Sequence, residues 1–378
     1  MLNIEKFVNS LKNNGIDFIS GVPDTLLNDF CLSLEQNWPE SLHVLSANEG
    51  NAIALATGYH LATNTVPLVY MQNSGLGNAM NPLISLTDKC VYSVPLVMII
   101  GWRGEPGSSD WPQHQLQGEV SPILLDSLGI KYKILTEDEE MSLEAIKWAV
   151  QEAKHTNQPT ALLVKKGVLA KKEKSGFSSD QNNYSMSREE AIKEILKSAP
   201  ENTTFVASTG RITRELYAIR EDLGHCHNYD FLNVGAMGHT LSIAAGIAAA
   251  DSKKYVICLD GDAAAIMHLG SMPVTASLSL GNLTHIVLNN GVHESVGGQR
   301  SVGHNIDLIG IANASGYKTL GKYIETQIEL NEVIASLTKS GKTSFIEVRI
   351  KKGMREDMPV LKMVPIDQKN SFIKNRGN

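Results

Sequence analysis

The chain of 378 residues has few cysteines, few aromatic residues and no long apolar run. Its four cysteines are widely separated and form no CxxC pair, which argues against a disulfide framework or a zinc knuckle and favours buried free thiols. No stretch approaches the ~18 uninterrupted apolar residues of a membrane span. The N-terminal residues also lack a basic segment followed by an apolar one. The sequence therefore predicts a soluble, cytoplasmic protein with no membrane partner.

An excess of positive charge is also missing. Lys and Arg number 34 against 40 Asp and Glu, and the formal net charge is −6. This balance argues against nucleic acid as the main partner. His225-Cys226-His227 is a local cluster with metal-ligand chemistry, but a structural loop is the preferred interpretation because no partner motif accompanies it. A strand followed by GxGxxG is missing too, which disfavours a nicotinamide dehydrogenase.

Short apolar runs recur along the chain, and each precedes glycine or polar residues and then a helix-like segment. This pattern predicts an α/β fold with parallel sheets flanked by crossover helices. The runs are 17–20, 42–45, 66–71, 96–100, 161–164, 204–207, 255–259, 285–288 and 345–348. The polar stretch 169–186 between the halves predicts a linker, so we expect one domain at 1–168 and another at 187–378 with a charged C-terminal tail.

The most specific pattern for chemistry lies in the second half. Residues 255–259 predict a buried strand that ends in Asp260-Gly261-Asp262, and a second buried strand ends in Asn289-Asn290-Gly291. Neighbouring strands would bring a carboxylate and an amide oxygen to one edge of the sheet. Such hard oxygen donors suit Mg²⁺.

Gly261-Asp262, followed 28 residues later by Asn290, resembles the GDG…NN motif of thiamin-diphosphate-dependent enzymes. The resemblance implies that Asp262, Asn290 and the backbone carbonyl of Val292 bind Mg²⁺, which in turn holds the cofactor diphosphate. Ala263 stands where the motif usually has a third glycine, so the backbone geometry at that turn is in question. Two ordinary polar turns are the alternative interpretation.

Two further segments of the second half are candidate cofactor-binding elements, and the second of them resembles a segment of this family. Ser208-Thr209-Gly210 lies between a predicted strand and a helix, where backbone N–H groups could bind a diphosphate; an ordinary helix N-cap is the alternative. In the segment Asn233 to His239, the resemblance implies that the Gly235 carbonyl contacts the cofactor pyrimidine. It also implies that the Met237 side chain holds the cofactor in a bent conformation.

The family also requires a glutamate in its first domain, and Glu49 is the candidate. Glu49 opens a predicted helix rich in small residues, where desolvation would disfavour the ionised carboxylate and favour sharing a proton with a ring nitrogen of the cofactor. A carboxylate that simply complements the helix dipole is the alternative. Because Glu49 and the diphosphate motif lie in different domains, the resemblance implies a homo-oligomer with active sites at subunit interfaces.

Across nearly its whole length the chain resembles the compact phosphonopyruvate and sulfopyruvate decarboxylases, which lack the middle domain of larger thiamin enzymes. The stretches that carry this resemblance are SGVPDT (20–25), MQNSGLGN (71–78), GWRGEPG (101–107), HQ (114–115) and CLDGD (258–262). The resemblance implies a small-molecule 2-keto acid as substrate. The fused chain and its GWRGEPG stretch favour phosphonopyruvate, because sulfopyruvate decarboxylases often divide the two domains between subunits.

Polar loops after the predicted strands supply candidate substrate-binding residues, namely Asn73, Ser74, Arg103 and His114. Bracing of loops is the alternative role for each. Asp24 resembles an active-site acid of the family, and His293 follows the predicted metal motif, so both, with His114, are candidate catalytic residues.

The leading hypothesis is a Mg²⁺- and thiamin-diphosphate-dependent decarboxylase. It would convert 3-phosphonopyruvate to phosphonoacetaldehyde and CO₂ in phosphonate biosynthesis. Sulfopyruvate decarboxylation, another 2-keto acid decarboxylation or carboligation, and a catalytically inactive scaffold are the alternatives.

Overall fold

The structure, a computed structural model, describes residues 2–169, 184–359 and 361–376. The chain forms two compact units, one of Met1–Phe177 with Val296–Gln299 and the other of Ser178–Ser295 with Arg300–Asn378. Of the predicted linker 169–186, residues 170–183 lie outside the described residues.

The first unit contains a six-stranded parallel sheet. Its strands, with spatial order β2-β1-β3-β4-β6-β5, are β1 (Ile19–Gly21), β2 (His43–Leu45), β3 (Leu68–Gln72), β4 (Val97–Gly101), β5 (Lys131–Leu135) and β6 (Thr160–Val164). Its helices are α1 (Ile4–Asn13), α2 (Asn28–Asn37), α3 (Glu49–Thr63), α4 (Leu76–Pro82), α5 (Pro112–Ser127) and α6 (Glu139–Thr156). Strands and helices alternate as the apolar runs predict.

Two apolar clusters cover the two faces of this sheet. Along β3, Leu68 and Tyr70 belong to one cluster while Val69 and Met71 belong to the other. This assignment follows from the alternation of side chains along a strand. Burial on both faces explains why the central strands read as continuous apolar runs in the sequence.

The second unit contains a five-stranded parallel sheet and two further short strands. The sheet, with spatial order β13-β10-β9-β7-β8, comprises β7 (Thr204–Ala207), β8 (Asp230–Leu232), β9 (Val256–Gly261), β10 (Leu283–Asn289) and β13 (Ser344–Arg349), and the short strands are β11 (Val292–His293) and β12 (Gln299–Arg300). The helices are α7 (Arg188–Ser198), α8 (Arg211–Asp222), α9 (Thr240–Ala250), α10 (Asp262–Met267), α11 (Ser271–Ser277), α12 (Leu308–Ser315), α13 (Gln327–Leu337) and α14 (Pro365–Arg376). Among the described residues, no helix combines the length and apolarity needed to cross a membrane.

The structure corrects three details of the sequence interpretation. Strands β5 and β8 were not predicted, and the charged tail contains α14, whose Phe372 ring packs edge-on against Phe231 at 5.8 Å. The prediction of buried thiols holds only for Cys31 and Cys258, because Cys90 and Cys226 are exposed.

Candidate active site

The two halves of the predicted metal motif lie at the same edge of the second sheet. Strands β9 and β10 are hydrogen-bonded neighbours, with Gly261 opposite Leu288 in the register, so Asp262 and Asn290 leave the sheet side by side. Both are buried, with exposed fractions of 2% and 4%. Burial raises the pKa of Asp262 to about 6, although hydrogen bonds from Ser301 and from the Asn290 backbone act in the opposite direction.

A loop that the sequence analysis missed covers Asp262. The Ser301 hydroxyl donates a hydrogen bond to the Asp262 carboxylate. The Gly303 carbonyl accepts one from Asn289 Nδ2 at 2.8 Å. A Cβ atom at Gly303 would lie 2.4 Å from Asp262 Oδ2, so this close approach requires glycine. No local sequence motif indicates Ser301, because its role depends on a loop that returns to the sheet edge.

The question raised by Ala263 is answered by its backbone conformation. Strand β9 ends at Gly261 and α10 begins at Asp262, so Ala263 lies within a helix. Alanine is the residue most favourable to helices. A third glycine is therefore not needed here for conformational reasons.

Polar side chains without hydrogen-bond partners lie at the neighbouring edge formed by β7 and β8. The register pairs Ala207 with Leu232, so Ser208 and Asn233 follow these strands side by side. Ser208 Oγ and Asn233 Nδ2 are buried and have no hydrogen-bond partner among the described residues. Unsatisfied buried groups are costly, so these atoms indicate a place for a polar ligand.

The backbone at this edge has the conformations expected of a ligand-binding loop. Gly210 precedes α8 with φ +101°, and the N-terminus of α8 has no side-chain cap. Between β8 and α9, Ala236 and Gly238 also have left-handed backbone, at φ +48° and +84°. Met237 between them is half-buried, which leaves part of its side chain available for a ligand.

These residues fit a diphosphate held by Mg²⁺. Asp262 and Asn290 supply hard oxygen ligands, and Val292, which follows two residues later, is buried beside them. The uncapped N–H groups of α8 and the unpartnered Ser208 hydroxyl supply donors for phosphate oxygens. The predicted catalytic residue His293 is half-buried, and burial lowers its pKa to about 4.

In the first unit, Glu49 is the first residue of α3 and is buried. Its Oε2 atom accepts a hydrogen bond from Asn78 Nδ2 at 2.7 Å. Gly75 lies so close that a Cβ atom there would be 2.5 Å from Glu49 Oε1. The glycine and the amide thus fix the position of the carboxylate, and sequence reasoning had assigned neither of them to the site.

Asp24 follows β1 at the carboxyl edge of the first sheet and is fully buried. Its Oδ2 atom accepts a hydrogen bond from Leu26 N at 3.0 Å, whereas Oδ1 has no hydrogen-bond partner within the described part of the chain. Burial raises the pKa of Asp24 to about 6, although the positive charge of Arg103 lowers it in part. A buried carboxyl with a raised pKa is suited to proton transfer near neutral pH.

Arg103 and His114 are brought together by Asp110, a residue absent from the sequence prediction. Asp110 accepts two hydrogen bonds from the Arg103 guanidinium, at 2.8 and 2.5 Å, and one from His114 Nδ1 at 2.9 Å. Burial would raise the pKa of Asp110, but these hydrogen bonds hold it well below its usual range. Burial of the His114 side chain disfavours its charged form and so lowers the pKa of His114. The spacing of four residues between Asp110 and His114 is the only signal that could have indicated Asp110.

The position of Asn73 changes its predicted role. Its Nδ2 atom donates to the Arg103 carbonyl and to Ser121 Oγ, both at 2.9 Å, and its Oδ1 accepts from Arg103 N at 3.1 Å. Both N–H donors are therefore used inside the protein, and Asn73 braces the Arg103 backbone. Ser74 accepts a hydrogen bond from Gln72 at 2.7 Å and keeps its own hydroxyl hydrogen for another partner.

Comparison with known proteins finds family models that match both the site residues of the first unit and those of the second. The "Thiamine pyrophosphate enzyme, N-terminal TPP binding domain" model matches residues 4–125, and the "C-terminal TPP binding domain" model matches residues 208–348. The phosphonopyruvate decarboxylase of Streptomyces hygroscopicus is 30% identical over 333 residues, which cover 85% of this chain and 80% of the relative. The chain belongs to the thiamine pyrophosphate-dependent decarboxylases.

Two longer alignments extend this similarity. The phosphonopyruvate decarboxylase of Streptomyces viridochromogenes is 28% identical, covering 98% of this chain and 94% of the relative. The sulfopyruvate decarboxylase of Methanosarcina acetivorans is 27% identical, covering 97% and 96%. Two α/β domains without a middle domain are thereby confirmed. Other sulfopyruvate decarboxylases that match parts of this chain are separate alpha and beta subunits, as expected, but the Methanosarcina protein spans both halves, so a fused chain does not distinguish the two substrates.

A stability measurement tests the environment of Asp24. The Asp24 carboxyl ionises near pH 3.8 in the unfolded chain and near pH 6 in the folded protein. Ionisation of Asp24 therefore lowers the free energy of unfolding progressively between these pH values, and by its full amount above them. We expect Asp24→Asn to unfold at higher urea than the wild type at pH 8, by about 1–3 kcal/mol, and the difference to shrink towards zero at pH 4. An equal difference at both pH values would contradict this assignment.

Proposed function

We propose that the protein decarboxylates 3-phosphonopyruvate to phosphonoacetaldehyde and CO₂ with thiamin diphosphate and Mg²⁺. The observation that carries this proposal is the buried pair Asp262 and Asn290 at the ends of adjoining strands, in a chain similar over almost its full length to a phosphonopyruvate decarboxylase. Residues 1–168 would bind the cofactor pyrimidine and residues 187–378 its diphosphate.

The proposed roles follow from the position of each residue. Asp262, Asn290 and the Val292 carbonyl would bind Mg²⁺, while Ser208, Thr209 and Gly210 would bind the diphosphate with Gly261 and Ala263 beside it. Gly235 and Met237 would contact the pyrimidine and the bend of the cofactor. When bound, thiamin diphosphate would supply a nucleophilic carbon for the 2-keto group and an electron sink for the breaking bond to CO₂.

Proton transfers would fall to residues of the first unit. Glu49 is buried and fixed by Asn78, so it can exchange a proton with the cofactor ring without competing water. Asp24, with its pKa near 6, would return a proton to the reacting carbon. His114, held through Nδ1 by Asp110, would present Nε2 to the substrate, and His293 would be a second imidazole donor.

Arg103 is the candidate receptor for the substrate phosphonate. Asp110 uses two of the five N–H donors of the guanidinium, so three donors remain for an anion. The bond to Asp110 also fixes the plane of the guanidinium, which suits bidentate recognition of phosphonate oxygens. Ser74 would add a hydroxyl donor.

A substrate panel tests this proposal. Purified protein with both cofactors is given phosphonopyruvate, sulfopyruvate or pyruvate, and the aldehyde product is identified by NMR. We expect phosphonopyruvate to be used with a kcat/KM at least about 10²-fold above the others, because a dianionic phosphonate gains most from the charged guanidinium. Rapid turnover of sulfopyruvate with none of phosphonopyruvate would overturn the substrate assignment.

Sulfopyruvate is the second candidate substrate. The Methanosarcina sulfopyruvate decarboxylase supports it, because that relative aligns over 96% of its length at 27% identity. Both substrates carry a tetrahedral anionic group, so the same guanidinium could receive either. An acyloin formed from pyruvate and an aldehyde would instead indicate carboligation.

We also propose that the active protein is a homo-oligomer in which Glu49 of one subunit completes the diphosphate site of another. The family resemblance supports this arrangement. Light scattering on the active protein is expected to give a dimer or larger, whereas a fully active monomer would contradict it.

A further inference from the structure

A buried ion network lies directly behind the proposed metal motif. Arg188, the first residue of α7, has an exposed fraction of 4%. Its guanidinium donates two hydrogen bonds to Glu215, at 2.9 and 2.8 Å, and one to Glu294 Oε2 at 2.6 Å. One buried cation thus holds two carboxylates, in the paired arrangement that buried charges require.

Glu294 connects this network to Asn290. The Glu294 Oε2 atom, which receives the bond from Arg188, also accepts one from Asn290 Nδ2 at 3.1 Å. The other oxygen, Oε1, accepts a hydrogen bond from the Gly353 backbone N–H. Both oxygens of the carboxylate are therefore engaged, so Glu294 has little freedom to rotate.

An amide side chain can present either its oxygen or its nitrogen to a metal, and only the oxygen is a useful ligand. A carboxylate accepts hydrogen bonds but cannot donate them, so Glu294 selects the orientation in which Asn290 Nδ2 faces away from the metal position. The Asn290 Oδ1 atom then lies on the opposite side, where it accepts Val292 N at 3.2 Å with one of its two lone pairs. In this orientation the oxygen of the Asn290 amide, and not its nitrogen, is the atom suited to bind a cation.

We propose that Glu294 is a positioning residue for Mg²⁺ binding, which it controls by fixing the orientation of the Asn290 amide. This inference rests on the proposed function, since it assumes that Asn290 binds the metal. Arg188 and the Gly353 backbone hold the carboxylate in place. The segment after β13 also contributes, because Lys351 N bonds to the Met186 carbonyl at 2.9 Å and thereby positions Gly353.

The substitution Glu294→Gln removes the preference for one orientation of the Asn290 amide, with almost no change in side-chain volume. The single carbonyl oxygen of the glutamine would have to serve both Arg188 and Asn290. Its NH₂ group, if turned towards Asn290, would favour the flipped amide that presents nitrogen to the metal. Loss of a hydrogen-bond partner that orients a metal ligand typically costs about 10–100-fold in metal affinity.

Glu215→Gln is the matched control, because it removes a carboxylate from the same guanidinium without touching Asn290. We would measure the Mg²⁺ dissociation constant by calorimetry at saturating thiamin diphosphate, together with the thermal unfolding of the cofactor-free protein. We expect Glu294→Gln to weaken Mg²⁺ binding by about 10–100-fold, with activity largely restored at high Mg²⁺. Glu215→Gln should lower the melting temperature but leave Mg²⁺ affinity almost unchanged.

Unchanged Mg²⁺ affinity in Glu294→Gln, or an equal loss in both variants, would overturn the inference, because the network would then be only structural. If Glu294→Gln does not fold, Glu294→Asp provides the test, because it keeps the negative charge but shortens the side chain. We expect this variant to lose part of its Mg²⁺ affinity. Wild-type Mg²⁺ affinity in Glu294→Asp would overturn the inference. Failure of the wild-type protein to bind Mg²⁺ with thiamin diphosphate would instead overturn the proposed function, and the inference with it.

Discussion

Replacing Glu49 by glutamine is expected to reduce turnover by about 10²–10⁴-fold, the range typical of a lost proton-transfer group. The glutamine carbonyl can still accept the 2.7 Å hydrogen bond from Asn78, so the position of the side chain should survive. Thiamin diphosphate and Mg²⁺ should still bind, because the residues proposed to hold them belong to the second unit. Steady-state kinetics and calorimetry on the same preparation separate these two effects.

Glu329→Gln is a suitable control for this substitution. Glu329 also lies in the first turn of a helix, but it is only half-buried and is paired with Lys322. Its replacement should leave turnover unchanged. Wild-type turnover in Glu49→Gln would show that Glu49 only complements the dipole of α3, as its alternative interpretation holds.

Asp262→Asn is expected to weaken Mg²⁺-dependent binding of thiamin diphosphate by about 10² to 4 × 10³-fold. Removing one partner of a buried charge interaction costs about 3–5 kcal/mol, and each 1.4 kcal/mol is a factor of ten in affinity. Asparagine has nearly the same shape and can still accept the hydrogen bond from Ser301. Turnover should fall in parallel, because the cofactor would no longer be retained.

The measurement is a calorimetric titration with thiamin diphosphate in the presence of Mg²⁺, repeated with EDTA. Asp307→Asn is the matched control, since Asp307 caps α12 through a 2.8 Å bond to Gly310 N and an asparagine cap serves as well. Equal cofactor affinity in Asp262→Asn and wild type would remove Asp262 from the proposed metal site.

The sequence predicted those parts of the fold that are buried on both faces. Strands β3, β4, β9 and β10 are interior strands with continuous apolar runs, and their positions were predicted to within a few residues. The missed strands β5 and β8 are edge strands. In β5 the lysines Lys131 and Lys133 face solvent, so no apolar run marks it.

The candidate site likewise contains residues that the sequence predicts and residues that it does not. Four of the predicted site residues follow the end of a strand directly or lie near it, namely Asp24, Glu49, Asp262 and Asn290. The parallel topology alone therefore predicts that each lies at the carboxyl edge of its sheet. Asp110 and Ser301, which were not predicted, act through contacts made across loops. Such contacts depend on how a loop folds back, which apolar periodicity does not encode; only the four-residue spacing to His114 could have indicated Asp110. Asn73 differs from these residues, because both of its N–H donors bond to Arg103 and Ser121, which favours the loop-bracing alternative.

The central claim is that the protein is a cofactor-dependent decarboxylase, and release of CO₂ tests it most directly. Protein stripped of metal and cofactor by EDTA and dialysis is mixed with 3-phosphonopyruvate, and CO₂ is measured before and after addition of thiamin diphosphate and Mg²⁺. The account predicts no release before the addition, then continuous release of CO₂ with phosphonoacetaldehyde in a one-to-one ratio. Absence of CO₂ from phosphonopyruvate, sulfopyruvate and pyruvate alike in the fully supplied protein would contradict it.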